Sequence, residues 1–197
     1  MIPSAEKVYK IIKKEHPNNC RKKPAKKKFN AKRLAGLSDL SQSEAIRIGN
    51  LLELLLAKLG ELSPNAKVYD RPLILSESVF SGKKKKNKQI DLLLKVSGKF
   101  YYLESKLNCE LDSEKFPHTL NKINKVTKAI KNEYGCECLG RLITPWYKHE
   151  KGMPHQYKNS NIMFASEYFN LIGVDIGEQE WYNYLNSFAK KWLEDIR

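Results

Sequence analysis

The sequence predicts an α/β fold in which a mixed central β-sheet is flanked by helices. Three observations lead to this prediction. Several long stretches repeat apolar residues at helical spacing, and the stretches between them are dense in β-branched and aromatic residues. After an opening helix the order is helix, three strands, helix, one or two strands, helix. At 197 residues the chain is long enough to bury a core without disulfides or a structural metal.

Four helices are predicted. The first spans residues 4–14, and the third runs from Ser113 to about Tyr134 with Pro117 near its start. The last is the amphipathic segment EQEWYNYLNSFAKKWLEDI. The second is SQSEAIRIGNLLELLLAKLG, with Ser41 or Ser43 as N-cap. Its predicted apolar face consists of Ile46, Gly49, Leu52, Leu56 and Leu59.

The strands are predicted in KVYDRPLILSESVF, QIDLLLKV and KFYYLESKL, and later in CECLGRLITPWY and SNIMFAS. Ser97 and Gly98 lie between two apolar runs, which indicates a tight hairpin turn. Cys136 and Cys138 fall in the fourth strand segment, where we expect small buried side chains rather than zinc ligands, because no CxxC pair accompanies them.

The charge balance favours a nucleic-acid partner. The chain has 36 Lys and Arg against 22 Asp and Glu, a formal net charge of +14, and such an excess attracts polyanions. The basic stretch from Pro17 to Arg33 is typical of an exposed arm. We therefore divide the chain into residues 1–40, a helix and basic arm, and residues 41–197, a single domain.

The location and the absence of a membrane partner are expectations from hydropathy. No apolar run approaches the roughly 18 residues that span a bilayer. The opening residues are charged and amphipathic, unlike the apolar core of a secretory signal. We expect a cytoplasmic protein.

A candidate site follows from the predicted hairpin. If Ser97 and Gly98 form a two-residue turn, Val96 pairs with Lys99, and counting back along both strands places Asp91 opposite Glu104. Opposed residues share a face with Cβ atoms about 4.5–5.5 Å apart, and Lys106 lies on that face two residues further on. Two carboxylates this close repel each other unless a cation lies between them. Hard divalent ions take such oxygen ligands, so the pattern indicates metal-assisted phosphodiester hydrolysis.

The text IDLLLKVSGKFYYLESK resembles the catalytic hairpin of the PD-(D/E)XK nuclease superfamily, with its acidic residue at Asp91 and its acidic-x-lysine element at Glu104 and Lys106. Ile90 stands where that family often has proline. The resemblance implies a restriction-endonuclease-like core over about residues 41–134. It also implies a further glutamate on the preceding helix, a position that Glu53 fits.

The resemblance further implies a Mg²⁺-dependent endonuclease acting on double-stranded DNA, with one or two ions held by Asp91, Glu104 and Glu53. Within this superfamily the chain most resembles a type II restriction endonuclease or the catalytic subunit of one. Such an enzyme would act as a homodimer or as a heterodimer with a specificity subunit. A Holliday-junction resolvase or repair nuclease is the alternative enzyme. A nucleic-acid-binding protein without catalysis is the alternative from another class.

The residues predicted to contact DNA form two groups. The first is the lysine-rich loop leading to Asp91, which would contact phosphates; it comprises Lys83, Lys84, Lys85, Lys86 and Lys88. The second lies in the predicted loop 141–161 and could read bases; it comprises Arg141, His155 and Gln156. Four lysines on the third helix are interpreted as a solvated face, namely Lys122, Lys125, Lys128 and Lys131.

Overall fold

The computed structural model describes residues 2–20, 42–69, 74–75, 88–106, 115–149, 153 and 155–196. The chain forms two compact units. The helical unit comprises Met1–Leu62 with Val174–Arg197, and the sheet unit comprises Ser63–Gly173. The division predicted at residue 40 falls outside the described residues.

The helical unit contains α1 (Ala5–Glu15), α2 (Gln42–Glu61) and α5 (Glu178–Ile196), with a 3₁₀ turn at Pro17–Cys20. The Tyr9 ring packs edge-on against Phe188 with 5.5 Å between centroids. Its hydroxyl donates to Asp195 Oδ2 at 2.7 Å, which ties α1 to α5.

The sheet unit is built on a five-stranded mixed sheet, so the predicted α/β class is confirmed. In spatial order the strands are β1 (Ala66–Val68), β4 (Leu92–Val96), β5 (Lys99–Ser105), β6 (Cys138–Ile143) and β7 (Ile162–Met163). The first three are antiparallel neighbours, and β5, β6 and β7 are parallel. A separate antiparallel pair joins β2 (Ile74–Leu75) to β3 (Lys88–Gln89). Helix α3 (Lys115–Tyr134) connects β5 to β6, and α4 (Ala165–Ile172) follows β7.

Helix α3 covers one face of the sheet. Leu93 and Tyr102 from the sheet share a buried core with Ile123 and Val126 from the helix. Helix α3 approaches β6 closely at Gly140, because a Cβ at this position would collide with Thr127 and lie 2.7 Å from Ile123 Cγ2. The helix is therefore held firmly against β5 and β6, which positions its N-terminal half beside the end of β5.

The predicted hairpin turn is confirmed. Ser97 has φ 47° and Gly98 has φ 84°, and two positive φ values define the type I′ turn that matches the twist of the flanking strands. Val96 pairs with Lys99, as predicted, and the register continues to Leu92 opposite Leu103.

Several predictions need correction. Ile46 is 60% exposed, so it is not part of the apolar face of α2. Leu52, Leu56 and Leu59 are buried as predicted, together with Ile48, Leu51 and Leu55. Cys138 is a buried strand residue as predicted, but Cys136 precedes β6 and is half-buried. Neither forms a disulfide.

Helix α4 was not predicted from the sequence, because the residue before it is Phe164 rather than a Ser, Thr, Asp or Asn cap. The Phe164 N–H is instead satisfied by Glu167 Oε2 at 2.8 Å. The predicted basic arm lies outside the described residues except for its first four, which form the 3₁₀ turn and bury Cys20. In the described part of the chain, no helix combines the length and the apolar content needed to cross a bilayer.

Candidate active site

The hairpin of β4 and β5 sets the position of Asp91. Asp91 is the residue just before β4, one step beyond the last ladder pair, and the confirmed register places it opposite Glu104. The Ser105 N–H lies beyond the last residue pair of the β4–β5 ladder, and it donates to Asp91 Oδ2 at 3.0 Å. The Asp91 carboxylate thus accepts the hydrogen bond that a backbone carbonyl would accept within the ladder, and this bond fixes the orientation of the carboxylate.

Glu104 lies at the centre of the site and is 3% exposed. Three donors reach its carboxylate. The Tyr102 hydroxyl donates to Oε2 at 2.6 Å, Lys122 Nζ donates to Oε2 at 2.5 Å, and Lys106 Nζ donates to Oε1 at 2.9 Å. A buried carboxylate is costly unless it is paired and hydrogen-bonded in this way.

Lys106 links the two carboxylates. Its Nζ lies 2.9 Å from Glu104 Oε1 and 4.0 Å from Asp91 Oδ2, and it also donates to Ser105 O at 3.1 Å. Asp91, Glu104 and Lys106 therefore converge, as the strand register predicts. Their catalytic roles stay a prediction.

Burial is the first influence on the pKa of both acids, because it penalises the charged form. For Asp91, burial and then the Glu104 carboxylate raise the pKa above its usual value, against the effect of the two lysines. For Glu104, burial alone would raise the pKa, but Lys106 and Lys122 outweigh it, and the pKa falls to about 2. Glu104 is thus the firmly ionised member, and Asp91 binds a proton more readily.

Lys122 and Tyr102 are site residues that sequence reasoning missed. The solvated-face prediction holds for Lys125, Lys128 and Lys131, which are exposed, but it is wrong for Lys122, whose side chain is 21% exposed. The signal lies in helical spacing: Lys122 is one turn before Val126 and two turns before Ile130, both fully buried against the sheet. The helix face that contains Val126 and Ile130 continues toward the N-terminus of α3, and it places Lys122 at the end of β5.

Thr144 adjoins the site by register. Glu104 pairs with Leu142 in the parallel ladder, so Lys106 and Thr144, two residues further on, are neighbours on the same face of the sheet. Thr144 is 0% exposed, and its Oγ1 has no hydrogen-bond partner among the described residues. Buried hydroxyls are normally satisfied, so this one lacks the partner that such groups usually have.

Glu53 and the lysine-rich loop are the remaining predicted site residues. Glu53 lies on α2 in the helical unit and is half-buried, and its role stays a prediction. Lys83 to Lys86 lie outside the described residues. Lys88 begins β3, where its backbone pairs with Leu75.

The predicted base-reading residues do not all lie in a loop. Arg141 is a residue of β6, and its Nη1 forms an ion pair with Glu167 Oε1 at 3.2 Å, so the loop assignment is wrong for this position. The apolar run around it continues the sheet. His155 and Gln156 begin a 3₁₀ turn, and His155 is exposed.

The donor set has the chemistry that a hard divalent cation requires, namely carboxylate oxygens. Asp91 and Glu104 would hold such an ion. No group of three or more His, Cys, Asp or Glu side chains comes together in the part of the chain that the structure describes. The described site therefore offers two acidic side chains, and water or phosphate oxygens would complete the coordination.

Comparisons with known proteins return no match. No protein-family model, curated protein or solved structure matches this chain.

Proposed function

We propose that this protein is a Mg²⁺-dependent endonuclease that hydrolyses phosphodiester bonds of double-stranded DNA. The observation that carries the proposal is the convergence of Asp91, Glu104 and Lys106 at the end of a hairpin with apolar faces. Charges are rarely placed in such surroundings without a functional or structural reason. The net charge of +14 suits a polyanionic substrate.

Each residue has a task that its contacts support. Asp91 and Glu104 would hold the ion, and Mg²⁺ when bound supplies positive charge and coordination sites for water and phosphate. Lys106 is the most exposed of the three, with its side chain 32% exposed against 17% for Asp91 and 5% for Glu104. It can hydrogen-bond the attacking water and offset the charge that develops on the phosphate.

The finer proposal is a PD-(D/E)XK nuclease with a restriction-endonuclease-like core, of the type II restriction class or its catalytic subunit. Cutting both strands at a two-fold site favours a homodimer, or a heterodimer with a specificity subunit. A Holliday-junction resolvase or repair nuclease differs in substrate, because it needs branched or damaged DNA. A restriction enzyme gives discrete fragments from linear duplex.

A second function is favoured by one observation. Glu104 is already paired with two ammonium groups, so the cluster could be a structural ion network in a nucleic-acid-binding protein without catalysis. Such a protein would bind DNA equally well in EDTA and in Mg²⁺.

Incubating a plasmid of known sequence with the purified protein separates these functions. The nuclease proposal predicts cutting in Mg²⁺, none in EDTA, and binding with little cutting in Ca²⁺, because calcium's looser coordination orients the attacking water less well. Discrete mapped ends would indicate a restriction enzyme. Binding without cutting in Mg²⁺, on linear and branched DNA alike, would contradict the proposal.

A further inference from the structure

Lys122 differs from the neighbouring lysines of α3. Its side chain is 21% exposed and its Nζ contacts Glu104 Oε2 at 2.5 Å, whereas Lys125, Lys128 and Lys131 are exposed. Among the described residues, Glu104 is the one group to which Lys122 hydrogen-bonds. The helix that supplies Lys122 is fixed on the sheet by the close contact at Gly140.

The two ammonium groups on Glu104 are not equivalent. Lys106 also contacts Ser105 O and lies near Asp91, so it remains anchored if Glu104 gains another cation. In the described residues Lys122 forms no second hydrogen bond or ion pair, although its charge also favours the ionised form of Asp91. A divalent cation at Asp91 and Glu104 would therefore compete with Lys122 for the negative charge of Glu104.

We propose that Lys122 is an exchangeable counter-ion. It neutralises Glu104 in the metal-free protein, and a divalent cation displaces its ammonium, which then binds a phosphate of DNA. This inference rests on the proposed function, since it takes the metal and the DNA from it. Metal binding and DNA binding then strengthen each other, and the coupling is reciprocal.

Calcium titration of the full-length protein tests the exchange without cleavage. The variant Lys122→Met keeps most of the aliphatic stem and removes the competing charge, so it should bind Ca²⁺ about tenfold more tightly than the parent, within the usual range of coupled sites. Lys125→Met removes the same charge from the exposed side of α3 and should leave Ca²⁺ affinity unchanged. Lys122→Arg keeps the charge and should stay close to the parent. Isothermal titration calorimetry measures all four proteins.

DNA binding gives an independent measurement. Ca²⁺ should tighten binding of a mixed-sequence duplex to the parent and to Lys125→Met, and this gain should be about tenfold smaller in Lys122→Met. Glu104→Gln releases Lys122 permanently, so in EDTA it should bind the duplex more tightly than the parent. This variant decides the question if Lys122→Met does not fold.

A Lys122→Met protein that is folded and binds Ca²⁺ more weakly than the parent, or equally, would overturn the exchange, because Lys122 would then only position Glu104. No gain in metal-free DNA binding by Glu104→Gln would overturn it as well. A parent that binds Ca²⁺ with this pattern but never cuts DNA in Mg²⁺ defeats the proposed function alone. A parent that cuts, with Ca²⁺ affinity unaffected in Lys122→Met, defeats the exchange alone.

Discussion

Asp91 and Glu104 share one ammonium, yet their pKa values shift in opposite directions. Two lysines and a tyrosine hydroxyl favour the charged form of Glu104, whereas Asp91 has burial and a neighbouring negative charge against it. The arrangement is typical of a site that holds charge for function, since the ionised Asp91 destabilises the folded protein.

Asp91→Asn should therefore raise the free energy of unfolding at neutral pH. Asparagine keeps an acceptor for the Ser105 N–H and removes the unfavourable charge. Because the pKa of Asp91 is raised in the folded state, the destabilisation caused by its charge is fully present above that pKa. This destabilisation shrinks as the pH falls through the pKa. The gain should vanish below the unfolded pKa of about 3.9. Urea unfolding across pH measures this, with the exposed Glu137→Gln as control; a loss of stability in Asp91→Asn at neutral pH would contradict the account.

Thr144 allows stability and function to be separated. Thr144→Val removes the unpaired buried hydroxyl and should stabilise the protein by about 1 kcal/mol or more, because an unsatisfied buried group costs about 1–3 kcal/mol. If the hydroxyl serves the site, cleavage should fall about two- to tenfold, the effect of one neutral hydrogen bond. Thr144→Ser should do the reverse, losing about 0.8 kcal/mol for the missing methyl group while keeping cleavage. Thermal unfolding and cleavage rates of the two variants decide it, and equal cleavage by both would remove Thr144 from the site.

Among the elements, the hairpin could be predicted from sequence because its turn has a local cause. The Ser97-Gly98 pair accepts positive φ at both positions, and this fixes the register of every pair that follows. The bounds of α5 also follow from the sequence, since its apolar period is continuous. Helix α4 could not be predicted, because its first N–H groups depend on Glu167 and not on a recognisable cap residue.

The contact between α3 and β6 gives an element-scale prediction. Gly140→Ala would place a Cβ against Thr127 and Ile123, so we expect a loss of about 1–3 kcal/mol, the usual cost of overpacking. The displacement of α3 should also weaken the Lys122 contact with Glu104. Gly49→Ala, in α2, meets no atom within 4 Å, and it should instead gain about 0.5–1 kcal/mol through helix propensity. Chemical denaturation measures both, and a stable Gly140→Ala would show that the helix can shift freely.

At the scale of the whole molecule, the charge predicts how DNA binding responds to salt. Affinity should fall steeply with salt as lysines release condensed counterions, and replacing Lys83 to Lys86 by alanine should reduce the slope by roughly three to four, about 0.9 per phosphate contact. Replacing three exposed lysines of α3, residues 125, 128 and 131, should change the slope little. Fluorescence anisotropy at several salt concentrations measures the slopes. An unchanged slope in the loop variant would place the DNA elsewhere.

The convergence of Asp91, Glu104 and Lys106 could be predicted because the strand register follows from the position of the hairpin turn by counting residues. The donors to Glu104 could not be predicted as readily. Lys122 comes from a helix whose rotation depends on packing over Gly140. Tyr102 is one of several aromatic residues in a strand segment, and nothing in the sequence marks its hydroxyl as a donor to Glu104.

Cleavage by Lys106→Met tests the central claim most directly. Lys106 is half-buried, so methionine retains its stem while removing the ammonium, whereas Glu104→Ala would leave two lysines facing a buried gap. Lys99, an exposed lysine at the start of the strand that Lys106 follows, gives the matched control for charge, Lys99→Met. We predict that folded Lys106→Met binds DNA in Ca²⁺ like the parent but cuts in Mg²⁺ at least about 100-fold more slowly, as when other preorganised electrostatic contacts are lost, while Lys99→Met cuts normally. Near-parental cutting by folded Lys106→Met would contradict the assignment of the active site.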